Sequence, residues 1–117
     1  MLNWRPIHDL FWAAEAERDM QNEDFRSVGI VGTGWVGASV AISTLHQGVA
    51  NEVILCDERK DVAEGEAMDL AHGSSFYPSA SVRAGELGEM QNTDALVVCA
   101  GRGGRPNESR LDLLKDN

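Results

Sequence analysis

Positive charge is scarce in this chain. Ten Lys and Arg stand against nineteen Asp and Glu, a formal net charge of −9, and nucleic acid is excluded as a partner because phosphate backbones are bound through an excess of basic residues. Long apolar runs are missing too: with no stretch of about 18 apolar residues, neither a membrane partner nor a cleavable signal is expected. Prolines number three against a hydrophobic fraction of 43%, a balance that argues for a folded globule over disorder. Cysteine is limited to Cys56 and Cys99, and no metal site is expected. At 117 residues there is room for one modest domain with a small core.

What the chain does have is glycine at a telling spacing. Ser27 to Gly37 reads SVGIVGTGWVG, an apolar run that breaks into Gly32, Gly34 and Gly37 and resumes as Ala38, Ser39, Val40, Ala41 and Ile42. This is a strand, a tight turn and a helix start in one string. The glycines let backbone approach a diphosphate, and the amides around Thr33 and Trp35, with the positive end of the helix dipole, face its phosphates. A glycine turn alone is weak evidence; its place between strand and helix strengthens it. Twenty residues after Gly37, at the tip of a second apolar run from Glu52 to Cys56, stands Asp57. A carboxylate there accepts hydrogen bonds from both hydroxyls of an adenosine ribose and repels a 2′-phosphate, which favours NAD over NADP. Arg59 and Lys60, just beyond, are the competing cue, as ligands for such a phosphate. A βαβ unit that binds no nucleotide is the plain alternative.

From Ser27 onward the pattern alternates. Strands are expected at Val28–Val31, Val53–Cys56, near Ser81–Ala84 and at Ala95–Ala100, and helices at Trp35–Gln47 (ended by Gly48), Val62–Leu70 and Glu108–Lys115. The last strand, ALVVCA, is apolar enough to be buried on both faces. The order implies an α/β fold of the Rossmann type, a doubly wound parallel sheet with right-handed crossovers, of which the chain holds the first half and the start of the next helix. With strands in the order 3-2-1-4, the first strand separates Cys56 from Cys99 by about 10 Å, too far for a disulfide. Free thiols follow, and a reducing cytoplasm fits them. Residues 1–26 differ in character: Pro6 opens a partly amphipathic helical pattern through Ile7, Leu10, Phe11 and Ala14, with Trp4 and Trp12 nearby. They read as an N-terminal extension, either an arm that packs on the domain or a partner subunit, or residues with no role. Residues 27–117 read as the nucleotide-binding domain.

Past the fourth strand comes AGRGGRPNESRLDLLKDN. Gly101, Gly103, Gly104 and Pro106 make a mobile loop, and Arg102, Arg105 and Arg110 fall within nine positions of an otherwise acidic chain. A guanidinium on a closing loop can pair with a carboxylate and polarise a carbonyl oxygen. A solvated loop with idle arginines is the alternative. Placement at the carboxyl edge of a dinucleotide sheet favours function.

Taken in order, GxGxxG, Asp57, EGEAMDLAHG, VVCAG, the glycine-rich loop and ESRLDLL resemble the N-terminal NAD-binding part of the L-lactate/malate dehydrogenase family. The AMDLAHG and ESRLDLL blocks look more like its lactate branch, and the resemblance runs from Ser27 to Asn117. It implies a diphosphate turn at Gly32, Gly34 and Gly37 with Val36 against the cofactor, an adenosine ribose on Asp57, and Gly101 and Arg102 along the nicotinamide side. It implies further that Arg110 polarises the 2-oxo carbonyl. Gly104 matches the substrate-choosing position, where lactate enzymes usually carry glutamine and malate enzymes arginine; glycine supplies no partner, and the adjacent Arg105 keeps a second carboxylate open. Val62 and Leu87 replace a lysine and a tyrosine that usually contact cofactor. Asn107 replaces a glycine, and asparagine tolerates left-handed backbone. The family's proton-transferring histidine, its aspartate partner and its carboxylate-clamping arginine match positions later than Asn117, and His8, His46 and His72 match none of them.

The activity so implied is NAD-dependent interconversion of a 2-hydroxy acid and a 2-oxo acid, L-lactate and pyruvate first, within glycolysis and carboxylic acid metabolism. The full-length form is expected to be a homodimer or homotetramer, and this chain alone, lacking the general acid and base, is expected to be inactive. Malate and oxaloacetate, a non-catalytic nucleotide-binding module and a scaffold that has lost its cofactor are the alternatives.

Overall fold

The computed structural model describes residues 25–117. Four short strands, β1 (Ser27–Val31), β2 (Glu52–Cys56), β3 (Ser81–Ala84) and β4 (Ala95–Val98), form one parallel sheet in the order β3-β2-β1-β4. Parallel neighbours need a crossover rather than a hairpin. Helix α1 (Trp35–Gln47) supplies it between β1 and β2, and α2 (Lys60–His72) between β2 and β3. A 3-10 turn at Leu87–Asn92 leads into β4, and after a loop comes α3 (Arg110–Asp116). In register, Val31 lies beside Cys56 on one side and Val98 on the other, so three strand tips end level. The ladder runs one step further: Gly32 N–H donates to the Cys56 carbonyl (2.8 Å) and Cys99 N–H to the Val31 carbonyl (2.7 Å).

Side-chain alternation divides the sheet into two faces. Ile30, Val53 and Leu55 point to the helices, where Ala41 and Leu45 of α1 and Ala63, Ala67 and Leu70 of α2 complete the core. The alanines let the helices sit close. Tyr77 seals the far end of α2 by donating its hydroxyl to the Leu70 carbonyl at 2.8 Å. The opposite face carries a smaller cluster of Ile54, Cys56 and Met90. Gly48 stops α1 in a left-handed conformation (φ 65°), its N–H returning to the Leu45 carbonyl.

Expectation and structure part at β4. Its apolar run predicts burial on both faces, yet Leu96 is 51% and Val98 67% exposed; only Val97 packs on the main core. The reason is position: β4 is the sheet edge, and among the described residues nothing covers its second face. Helix α2 begins two residues before and ends two residues after the expected Val62–Leu70. Helix α3 starts at Arg110 rather than Glu108, because Ser109 caps it, its Oγ accepting the Asp112 N–H at 3.2 Å. Cys56 is buried, Cys99 half-buried, and both are free thiols with β1 between them. The expected helical arm, like His8, lies outside the described residues apart from its last two positions. There the Arg26 N–H donates to Asn51 Oδ1 at 2.8 Å.

Candidate nucleotide-binding cleft

Two of the three motif glycines are required by the chain's own packing. Gly32 has φ 94°, and a Cβ on it would stand 2.5 Å from the Ala100 nitrogen; a Cβ on Gly37 would collide with the Gly32 carbonyl oxygen. These contacts press the start of α1 onto the tip of β1. Gly34 is different. Nothing lies within 4 Å of where its Cβ would be, it caps α1 without a side chain, and the first turn of α1 holds no acid. The turn is thus shaped from within and open outside, with first-turn amides that no side chain of the cap satisfies. That arrangement fits a diphosphate.

Asp57 follows β2 directly and is held in place by three donors. Its Oδ2 accepts the Thr33 N–H (2.8 Å) and the Thr33 hydroxyl (3.1 Å), and its Oδ1 accepts the Arg59 N–H (2.9 Å). The Thr33 amide above all, then that of Arg59, holds the carboxyl below its ordinary range. A carboxylate offers about four acceptor positions, so the group is pre-oriented with capacity left for a sugar hydroxyl. Thr33 itself is buried, and its N–H is committed to Asp57 rather than to the cleft.

The cleft, about 790 Å³, runs along the carboxyl ends of the strands. Gly32 and Gly34 form one wall, Asp57, Arg59 and Lys60 a second, and Gly101, Arg102, Asp116 and Asn117 close it. The structure therefore gathers Gly32, Gly34, Asp57, Gly101 and Arg102. It does not gather all the sequence candidates there. Trp35, 94% exposed, and Val36 line a separate groove along α1 with Val40 and Val49, and Gly37 is buried behind the turn. Gly104, Arg105 and Arg110 are exposed and do not line the cleft. Asn107 adopts φ 64°, the left-handed turn its residue type permits.

Charge around the mouth is largely internal. Lys60 Nζ pairs with Glu86 Oε1 at 2.7 Å, which raises the lysine's affinity for its proton. That contact occupies Lys60, one of the two cations of the competing 2′-phosphate reading; Arg59, the other, lines the cleft. Leu87 lines the cleft, and Val62 does not. Sequence reasoning missed Glu86, Asp116 and Asn117. Glu86 had a findable signal, since it follows β3 at the strand ends where ligands sit and forms a capping box with Glu89; Asp116 and Asn117 had none. His46 approaches the Tyr77 ring (centroids 6.4 Å) and His72 ends α2; neither lines the cleft.

Comparison with known proteins places this geometry. The family model for the lactate/malate dehydrogenase NAD-binding domain matches residues 26–117. The chain is 43% identical over 99 residues to the L-lactate dehydrogenase of Bacillus caldotenax, covering 84% of this chain and 31% of that protein. It is 47% identical over 90 residues to that of Fervidobacterium nodosum, covering 77% and 29%. Among solved structures, the minor L-lactate dehydrogenase of Enterococcus mundtii in its ligands-bound form superposes with a TM-score of 0.74 at 44% identity, over 79% of this chain and 30% of that one. The malate dehydrogenase of Cryptosporidium parvum gives 0.69 at 28%, over 78% and 29%. The chain thus spans about a third of the length of the curated relatives it matches.

Proposed function

The chain belongs to the lactate/malate dehydrogenase family through its NAD-binding domain, and from that premise we propose that it is the cofactor half of an enzyme interconverting L-lactate and pyruvate. One observation carries the reading: Asp57 locked by Thr33 at the strand tips, beside a glycine turn whose outer side is open. The lactate relatives named above support the choice of branch.

NAD, when bound, supplies a hydride acceptor or donor. The chain's own residues bind and orient. Gly34, with the first-turn amides of α1 at Trp35 and Val36, seats the diphosphate, Gly32 and Gly37 shape the turn from within, and Thr33 acts by fixing Asp57 for the ribose. Gly101 and Arg102 flank the nicotinamide side. When loop 101–109 closes, Arg110 steadies the negative charge that develops on the carbonyl oxygen, in a site from which water is expelled. Residues 27–117 are on this reading the cofactor domain, and residues 1–26 an extension. The whole enzyme would be a cytoplasmic homodimer or homotetramer of glycolysis, a setting that the two free thiols fit.

Malate and oxaloacetate form the second reading. Gly104 leaves space and offers no partner, while the exposed Arg105 beside it can meet a second carboxylate. Steady-state assays of the full-length gene product decide: pyruvate turnover well above oxaloacetate turnover is expected, and a strong preference for oxaloacetate rejects the lactate assignment. The 117-residue chain alone, spanning about a third of its relatives' length, should bind NADH only weakly in a nicotinamide fluorescence titration and turn over neither acid, since neither described histidine lines the cleft.

A further inference from the structure

Arg102 does more than line a wall. Its guanidinium meets both oxygens of Glu108, Nη1 donating to Oε2 at 2.8 Å and Nη2 to Oε1, while Nε and Nη2 donate to Asp116 Oδ2 at 3.0 and 2.6 Å. Its backbone is gripped as well, Asn117 Oδ1 accepting the Arg102 N–H at 2.8 Å. Glu108 Oε2 in turn accepts the Arg105 N–H at 3.0 Å. An exposed single ion pair contributes little, but a forked Arg–carboxylate pair is geometrically specific. Here the Arg102 and Glu108 side chains are only 26% and 14% exposed.

We infer that Arg102 is a positioning residue: by clamping Glu108 and Asp116 together it fixes loop 103–109 against α3 and thereby sets where Arg110 stands. The connection is short. Asn107 in its left-handed turn brings Glu108 back to Arg102, Ser109 caps α3, and Arg110 is the first residue of that helix. The role of Arg110 in chemistry rests on the function proposed above; the clamp does not.

The test uses the full chain, with Arg102→Gln, Arg102→Lys and Glu108→Gln. Two readouts follow the loop: hydrogen exchange at the Arg105 amide, and tryptic cleavage of the Arg110–Leu111 bond. Arg102→Gln should reduce protection of the Arg105 amide, whose own acceptor is untouched, and speed cleavage, each by about tenfold or more, the scale of losing hydrogen bonds to a charged group. Arg102→Lys should restore part of the loss, and Glu108→Gln should speed cleavage similarly. The Ile30 and Leu55 amides report that the sheet is intact in every variant. Because Arg102 above all, and then the Arg105 N–H, lowers the Glu108 pKa, wild-type loop protection should fall as pH drops through that carboxyl's titration, and in Arg102→Gln that step should move to higher pH. Unchanged loop protection and cleavage in Arg102→Gln and Glu108→Gln over an intact sheet would overturn the inference. So would an acid step that stays at the wild-type pH in Arg102→Gln. NADH titration of the wild type reads the cleft separately: a clamp seen in a chain that does not bind NADH fails the cofactor reading and not this one.

Discussion

At the residue scale, the three motif glycines carry different duties. Gly37→Ala should cost about 3 kcal/mol or more by urea unfolding, because its methyl runs into backbone. Gly34→Ala should leave stability within about 1 kcal/mol, its φ of −69° suiting alanine, yet weaken NADH at least several-fold by filling the diphosphate's space. NADH affinity unchanged in Gly34→Ala would remove the turn from the cofactor site. Asp57 adds a pH signature. Its folded pKa lies below the unfolded value of about 3.9. The stability it contributes is therefore complete above that value and is lost as pH falls through the folded one. Asp57→Asn should flatten that acid limb in unfolding measurements and reduce NADH affinity. The acid's place was legible because strand tip and spacing are local features. Its lock on Thr33 was not, since β1 and β2 bring those residues together across 24 positions of chain.

Elements were legible where period and glycine agree, as in α1, whose bounds match the expectation residue for residue. They were less so where ends depend on side chains that meet in space. Tyr77 shows such a contact at the end of α2, where its buried hydroxyl joins the capping Gly73 N–H in donating to the Leu70 carbonyl. Tyr77→Phe should leave that carbonyl with the Gly73 N–H (3.1 Å) as its donor and lower stability by about 1 kcal/mol in chemical denaturation, with far-UV helix content little changed. A loss below about 0.3 kcal/mol would mean that the Gly73 N–H alone suffices for the Leu70 carbonyl. The apolar composition of β4 misled for a related reason. It reports what a strand can be packed against, not which neighbours are at hand.

For the whole molecule, that edge has a physical outcome. Leu96 and Val98 stand exposed on a parallel strand whose outer hydrogen-bonding side has no strand beside it among the described residues, the arrangement that invites pairing with another chain. Sedimentation velocity should show concentration-dependent association of this chain, and Val98→Lys should suppress it while leaving NADH titration unaltered. A monomer at every concentration would mean that the edge is shielded in solution. The two sides of the cleft are also unequally anchored. One is welded to the sheet through Gly32 and Gly37, whereas the other hangs from a glycine-rich segment held by Arg102, through its guanidinium and its backbone, and by the Glu108–Arg105 contact. On the proposed reading the dinucleotide would leave past the yielding side, so that residues remote from the phosphates would set the speed of its escape.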